Sequence, residues 1–121
     1  MIVYPTEAQE QVALFQWAML EERRYPELKL LHHIPNGGSR NAIEAKNLKA
    51  QGVKPGVPDN FLPCARGEYH GLYIEMKRRE GGRLSQYQQD MIRALREQDY
   101  AAVVCKGFDE ARQLLLEYLR M

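Results

Sequence analysis

The segment Leu72-Tyr73-Ile74-Glu75-Met76-Lys77 restricts the fold more than any other part of the sequence. Its alternation is that of a strand, and turn-forming stretches close it on both sides, Gly67 to Gly71 before it and Gly81-Gly82 after it. Glu75 and Lys77 are two residues apart and so project from one face, roughly 6 to 7 Å from each other along the backbone. An ionised group removed from water costs several kcal/mol unless it is paired or coordinated, so a buried strand bearing both an acid and a base needs a reason. One reason is a surface salt bridge on an exposed antiparallel strand, with Tyr73 also facing solvent. The other is a polar centre built into the sheet.

Asp59 moves the balance towards a centre. Val53 to Pro58 holds two prolines and a glycine, so it reads as a loop that delivers Asp59 to a strand through Asn60, Phe61 and Leu62. A hairpin between that strand and Leu72–Lys77 sets Asp59 near Glu75. Two carboxylates, joined by the Met76 carbonyl and by water, are the hard oxygen ligands that Mg²⁺ prefers, and they leave positions open for a phosphate. A cation held there would polarise a phosphoryl oxygen and make water more acidic. The Lys77 ammonium would orient the attacking water and stabilise charge in the transition state. The chemistry this predicts is metal-assisted phosphodiester hydrolysis.

The remaining pattern fits a sheet flanked by helices. From Thr6, an N-cap after Pro5, to about Arg24, the apolar residues Ala8, Val12, Phe15 and Met19 with Leu14, Trp17 and Ala18 recur at helical spacing. Leu28 to Ile34 reads as a short strand ended by Pro35 and the turn Asn36-Gly37-Gly38-Ser39, and a second helix is expected from Arg40 to Gln51. Ser85 caps a helix reaching about Gln98, Ala101 to Cys105 reads as a buried strand, and Asp109 starts a last helix with an apolar stripe of Ala111, Leu114, Leu115 and Tyr118, ending at Leu119. The order is helix, strand, helix, strand, strand, helix, strand, helix. With 121 residues, 45% hydrophobic and 27% charged, and with no linker or repeat, the expectation is one mixed α/β domain spanning residues 1–121.

A net charge of +1 gives no global basic signal, so any contact with nucleic acid must be local. Arg78, Arg79 and Arg83 follow the strand, and Arg40, Lys46, Lys49 and Lys54 gather before it. These seven are the candidates for tracking a sugar-phosphate backbone. Asn36-Gly37-Gly38 would let a phosphate approach main-chain N–H groups, or would simply form a tight turn. His32, His33 and His70 lack any zinc-ligand spacing and suit structural or substrate-facing roles. No phosphate-binding G-x-x-x-x-G-K-[ST] loop occurs, so any helicase or ATPase activity must come from another protein. Cys64 and Cys105 fit two reduced thiols. No Lys or Arg precedes Arg23, no leader-like apolar core is present, and no run approaches a membrane span, so the protein is expected to stay in the cytoplasm where it is made.

Pro58-Asp59 followed by Glu75-Met76-Lys77 resembles the PD-(D/E)xK signature of restriction-endonuclease-like nucleases. The wider series is more specific. His33-Ile34-Pro35-Asn36-Gly37-Gly38, then Gly52-Val53-Lys54-Pro55-Gly56-Val57-Pro58-Asp59, then Ile74-Glu75-Met76-Lys77, then Leu84-Ser85-Gln86-Tyr87-Gln88 together resemble the virus-type replication-repair nuclease (VRR-NUC) family, in the stand-alone form of phages and bacteria. The resemblance runs from Glu7 to about Leu119. It implies an α/β restriction-endonuclease-like core, a central mixed β-sheet flanked by helices, and dependence on Mg²⁺ or Mn²⁺. By similarity Asp59 and Glu75 bind metal, Met76 offers its carbonyl, Lys77 is catalytic, and Gln88 supports the site from the next helix. An acid from the first helix completes the set, with Glu7 and Glu10 as the two candidates; Glu7 with Gln11 has the spacing that suits the family better. Asn60 departs from the family, which more often has an apolar residue there, and this would weaken the start of its strand. Stand-alone members resemble junction resolvases. The likeness therefore implies a homodimer acting on branched DNA, four-way (Holliday) junctions before flaps or splayed arms, in a bacterial cell and of host or phage origin. A non-catalytic DNA-binding module is the alternative of a different class.

Overall fold

Two helices begin by the same local chemistry. In the computed structural model, which describes residues 1–35 and 41–121, helix α1 spans Glu7–Glu21 and helix α3 spans Gln86–Glu97. Thr6 Oγ1 accepts the Gln9 N–H at 3.1 Å while the Gln9 side chain accepts the Thr6 N–H at 2.8 Å. Ser85 and Gln88 repeat the arrangement at 3.1 and 2.9 Å. Each box satisfies backbone donors that a helix start otherwise leaves open. Helix α2 (Ala42–Ala50) is capped by the Asn41 side chain, and α4 (Phe108–Leu119) starts one residue earlier than expected, after Gly107 at φ +94°.

Strands β1 (His32–His33), β2 (Asn60–Leu62), β3 (Leu72–Lys77) and β4 (Ala101–Lys106) form one sheet in the order β1-β2-β3-β4. β1 and β2 are antiparallel, as are β2 and β3; β3 and β4 are parallel, joined by a crossover through α3. The expected strand over Leu28–Ile34 is corrected. Pro26–Leu30 is a 3₁₀ turn, and only His32 and His33 pair with β2. Leu28 and Leu31 lie three residues apart, so one tight turn buries both, and a short apolar run does not by itself distinguish that turn from a strand. The expected buried strand at 101–105 is an edge strand in which Ala102 and Cys105 are buried and Ala101, Val103 and Val104 are half-buried.

Leu72, Ile74 and Met76 turn one face of β3 towards α1 and α4, where they join Leu14, Ala18, Ala111, Leu115 and Tyr118 in the core. Tyr73, Glu75 and Lys77 occupy the opposite face by the strand alternation. Tyr73 is half-buried there and stacks on Phe61 with ring centroids 4.2 Å apart. The Tyr118 hydroxyl donates to the Cys64 carbonyl at 2.6 Å, so α4 is tied to the segment after β2. Cys64 and Cys105 are both free thiols and buried. Among the described residues no helix is long and apolar enough to cross a membrane.

Candidate active site

Pairing of Asn60 with Ile74 leaves Asp59 directly beyond the end of the β2–β3 ladder, opposite Glu75. Asp59 is fixed from three directions. Its Oδ2 accepts the Met76 N–H at 2.8 Å, and its carbonyl accepts the Ile34 N–H at 2.6 Å and a proton from His33 Nδ1 at 2.8 Å. The loop before it lies against the first turn of α3, and Gly56 makes that possible. A Cβ there would sit 2.3 Å from the Tyr87 carbonyl oxygen, and the residue holds φ +86°. The glycine and prolines of 53–58 therefore dock the Asp59 loop on the helix that carries Gln88.

Carboxylate oxygens of Glu7, Asp59 and Glu75 all lie within 4.8 Å of one another. They come from α1, the start of β2, and β3. Glu75 is 1% exposed, and its carboxyl is pushed up to about 8, first by burial and then by the charge and hydrogen bond of Asp59, against the pull of Lys77. Glu7 is also raised, by burial and by Asp59, with Lys77 opposing. Lys77 Nζ stands 3.3 Å from Glu75 Oε2, and Gln88 Nε2 donates to the same oxygen at 3.2 Å while its Oε1 completes the helix cap. Three crowded carboxylates with one neighbouring ammonium are a set whose mutual repulsion a divalent cation would relieve, and all the donors are hard oxygens. The residues fit such an ion. Glu7, Gln11, His33, Asp59 and Met76 line a cleft of about 480 Å³ over this group.

The structure brings Glu7, and not Glu10, to the carboxylates. Glu10 faces away and is 2% exposed. Arg79 Nε and Nη2 bind its two oxygens at 2.8 and 3.2 Å, and the Phe108 N–H donates to it at 3.2 Å. Arg79 and these donors hold its carboxyl below the usual range. Arg79, expected as a DNA contact, is exposed and commits its guanidinium to Glu10. Its guanidinium joins α1 to the start of α4, with Asp109 3.5 Å from Nη1. Gly107 is required beside it, because a Cβ would lie 2.7 Å from Arg79 Cγ and 2.8 Å from Glu10 Oε2. Arg78, Arg83, Lys46, Lys49 and Lys54 are exposed. Asn36, Gly37, Gly38 and Arg40 lie outside the described residues. His32 and His70 are exposed and stand apart from the carboxylates, in ring contact with Phe61 and Tyr100 respectively.

Sequence reasoning missed the Glu10–Arg79 clamp, whose members are 69 residues apart. It also read Asn60 as a weak strand start, and this is corrected. Asn60 is fully buried and exchanges two hydrogen bonds with the Gln11 side chain. A polar residue at a strand position expected to be apolar, with an amide of matching chemistry on the first helix, was the signal available.

The VRR-NUC domain profile matches residues 2–109. Among solved structures, one titled "VRR_NUC domain protein" is similar with a TM-score of 0.83 and 32% identity, over 98% of this chain and 92% of that one. No curated protein matches the chain. With its four-stranded mixed sheet, its flanking helices and a profile match over most of its length, the chain belongs to the VRR-NUC family, nucleases of the PD-(D/E)xK type.

Proposed function

We propose that the protein is a Mg²⁺- or Mn²⁺-dependent endodeoxyribonuclease that cuts branched DNA, four-way (Holliday) junctions first among them, as a homodimer. The observation that carries this reading is the convergence of Glu7, Asp59 and Glu75 within 4.8 Å beside Lys77. These carboxylates, with the Met76 carbonyl, would hold the cation. When bound, it supplies Lewis acidity and neutralises charge on the phosphate. Lys77 adds a fixed positive charge next to the same centre, suited to orienting the attacking water and to stabilising the anionic transition state. Gln88 keeps the Glu75 carboxylate turned towards the group, and Asp59 is aimed by the Met76 N–H. Arg78, Arg83, Lys46, Lys49 and Lys54 are exposed and suit backbone phosphates.

A dimer is supported by α2, which packs against none of the other described elements, buries no residue and leaves Ile43 74% exposed. Two active centres related by a two-fold axis suit the two symmetric strands of a four-way junction. The test incubates the protein with a four-way junction, a flap, a splayed arm and linear duplex, each in EDTA, Mg²⁺ or Mn²⁺, with Asp59→Ala, Glu75→Ala and Lys77→Ala alongside. Paired symmetric cuts in the junction alone, dependent on metal and lost by at least about a hundredfold in each variant, are expected. Cutting restricted to flaps or splayed arms would move the substrate and keep the centre. Tight binding without cutting of any DNA would refute the enzymatic reading in favour of a binding module.

A further inference from the structure

Gln11 lies one helical turn beyond Glu7 on α1, and Asn60 follows Asp59 at the start of β2. Their side-chain amides bond reciprocally: Gln11 Nε2 donates to Asn60 Oδ1 at 2.5 Å, and Asn60 Nδ2 donates to Gln11 Oε1 at 3.0 Å. Asn60 is 0% exposed. We propose that this amide pair is a positioning element of the nuclease centre, setting the height and rotation of the first turn of α1 against β2 and so the approach of Glu7 to Asp59. The proposal rests on the metal-dependent reading above.

Asp59 is aimed by the Met76 N–H, and Glu75 by Lys77 and Gln88, all close on β3 or α3. Glu7 stands on a separate element, so its place beside Asp59 and Glu75 depends on how the start of α1 is held at the sheet. The Glu10–Arg79 pair holds α1 from the side of α4, and the Gln11–Asn60 pair supplies the matching hold towards β2. The pair is neutral, so it adds no charge to a crowded carboxylate site. It is also specific in register. Sliding α1 along β2 would break both bonds and strand a buried amide, whereas an apolar contact there would tolerate the slip.

The experiment uses Gln11→Leu, Asn60→Leu, the double variant Gln11→Leu/Asn60→Leu and the exchange Gln11→Asn/Asn60→Gln. Each is measured by calorimetric titration of Mn²⁺ without DNA, by the Mn²⁺ concentration for half-maximal junction cleavage, and by thermal unfolding. Disturbing groups that orient metal ligands weakens metal binding by roughly 10- to 100-fold, and that loss is expected in both single variants. The double variant leaves no amide unmatched and should regain stability, yet stay at least about tenfold weaker for Mn²⁺. The exchange keeps both amides and should restore binding to within a few-fold. If either single variant fails to fold, the double and exchange variants decide. A double variant that binds Mn²⁺ as tightly as the wild type would reduce the pair to packing and overturn the proposal. A wild-type protein that neither binds Mn²⁺ nor cuts DNA would refute the metal-dependent reading, and this proposal with it.

Discussion

Glu75 should make the metal-free protein less stable as pH rises through neutrality, opposite to the usual behaviour of a paired carboxylate. Its carboxyl loses a proton near 4.5 in the unfolded chain, but in the native protein burial and Asp59 keep the proton until about 8. Between those limits the native state holds one proton more than the unfolded state, so unfolding becomes easier with each step up in pH. The contribution is complete below about pH 4.5, declines across the window and is gone above about pH 8. Its slope approaches about 1.4 kcal/mol per pH unit, and its total is at most about 5 kcal/mol. For a chain of this size that slope corresponds to roughly 5 °C in Tm per pH unit. Glu7 contributes with the same sign, since burial raises its carboxyl as well.

The assay is thermal unfolding in EDTA from pH 5 to 8, wild type against Glu75→Gln. A glutamine keeps the shape and cannot titrate, so the difference between the two proteins isolates Glu75 from every other group, which is common to both. Asp59→Asn should give an intermediate slope, because the Asp59 charge is the second cause of the shift. Adding Mn²⁺ should reverse the trend in the wild type, since the cation binds the deprotonated carboxylate. Parallel curves for wild type and Glu75→Gln in EDTA would refute the claim that Glu75 stays protonated at neutral pH.

Two further perturbations probe the scaffold and the DNA surface. Gly56→Ala places a methyl group 2.3 Å from the Tyr87 carbonyl oxygen at a residue with φ +86°. It should cost more than about 1 kcal/mol in chemical denaturation and lower cleavage by moving the Asp59 loop off α3; unchanged denaturation midpoint and rate would show that the loop is not docked there. The double variant Arg78→Ala/Arg83→Ala should reduce the slope of log affinity against log salt by about 2, while Arg79→Ala should lower Tm and leave that slope unchanged. A salt slope that falls for Arg79→Ala as well would mean that Arg79 reaches DNA despite its bond to Glu10.

What the sequence disclosed about the centre depended on how far apart its parts lie along the chain. Asp59, Glu75 and Lys77 were legible because a strand period of two and a short hairpin leave few choices of register, and the Thr6 and Ser85 caps were legible because a capping box is complete within four residues. Glu7 and Glu10 were not separable on such grounds. They lie three residues apart in one turn, about 60° from each other around the helix, so which of them meets Asp59 depends on the rotation of α1. That rotation is fixed by Leu14 and Ala18 in the core, by Arg79 on one side and by Asn60 on the other, partners 69 and 49 residues away from their bonded residues on α1. The same argument accounts for Arg79, which follows the strand like Arg78 and differs only in having a buried carboxylate within reach. A local pattern can nominate an acid for the centre; only the contacts that rotate its helix can choose between neighbours. In this protein two of those contacts are polar and engage the buried Glu10 and Asn60, where a misplaced partner costs most, so the residues that resisted sequence reasoning are also among those that fix the geometry of the site.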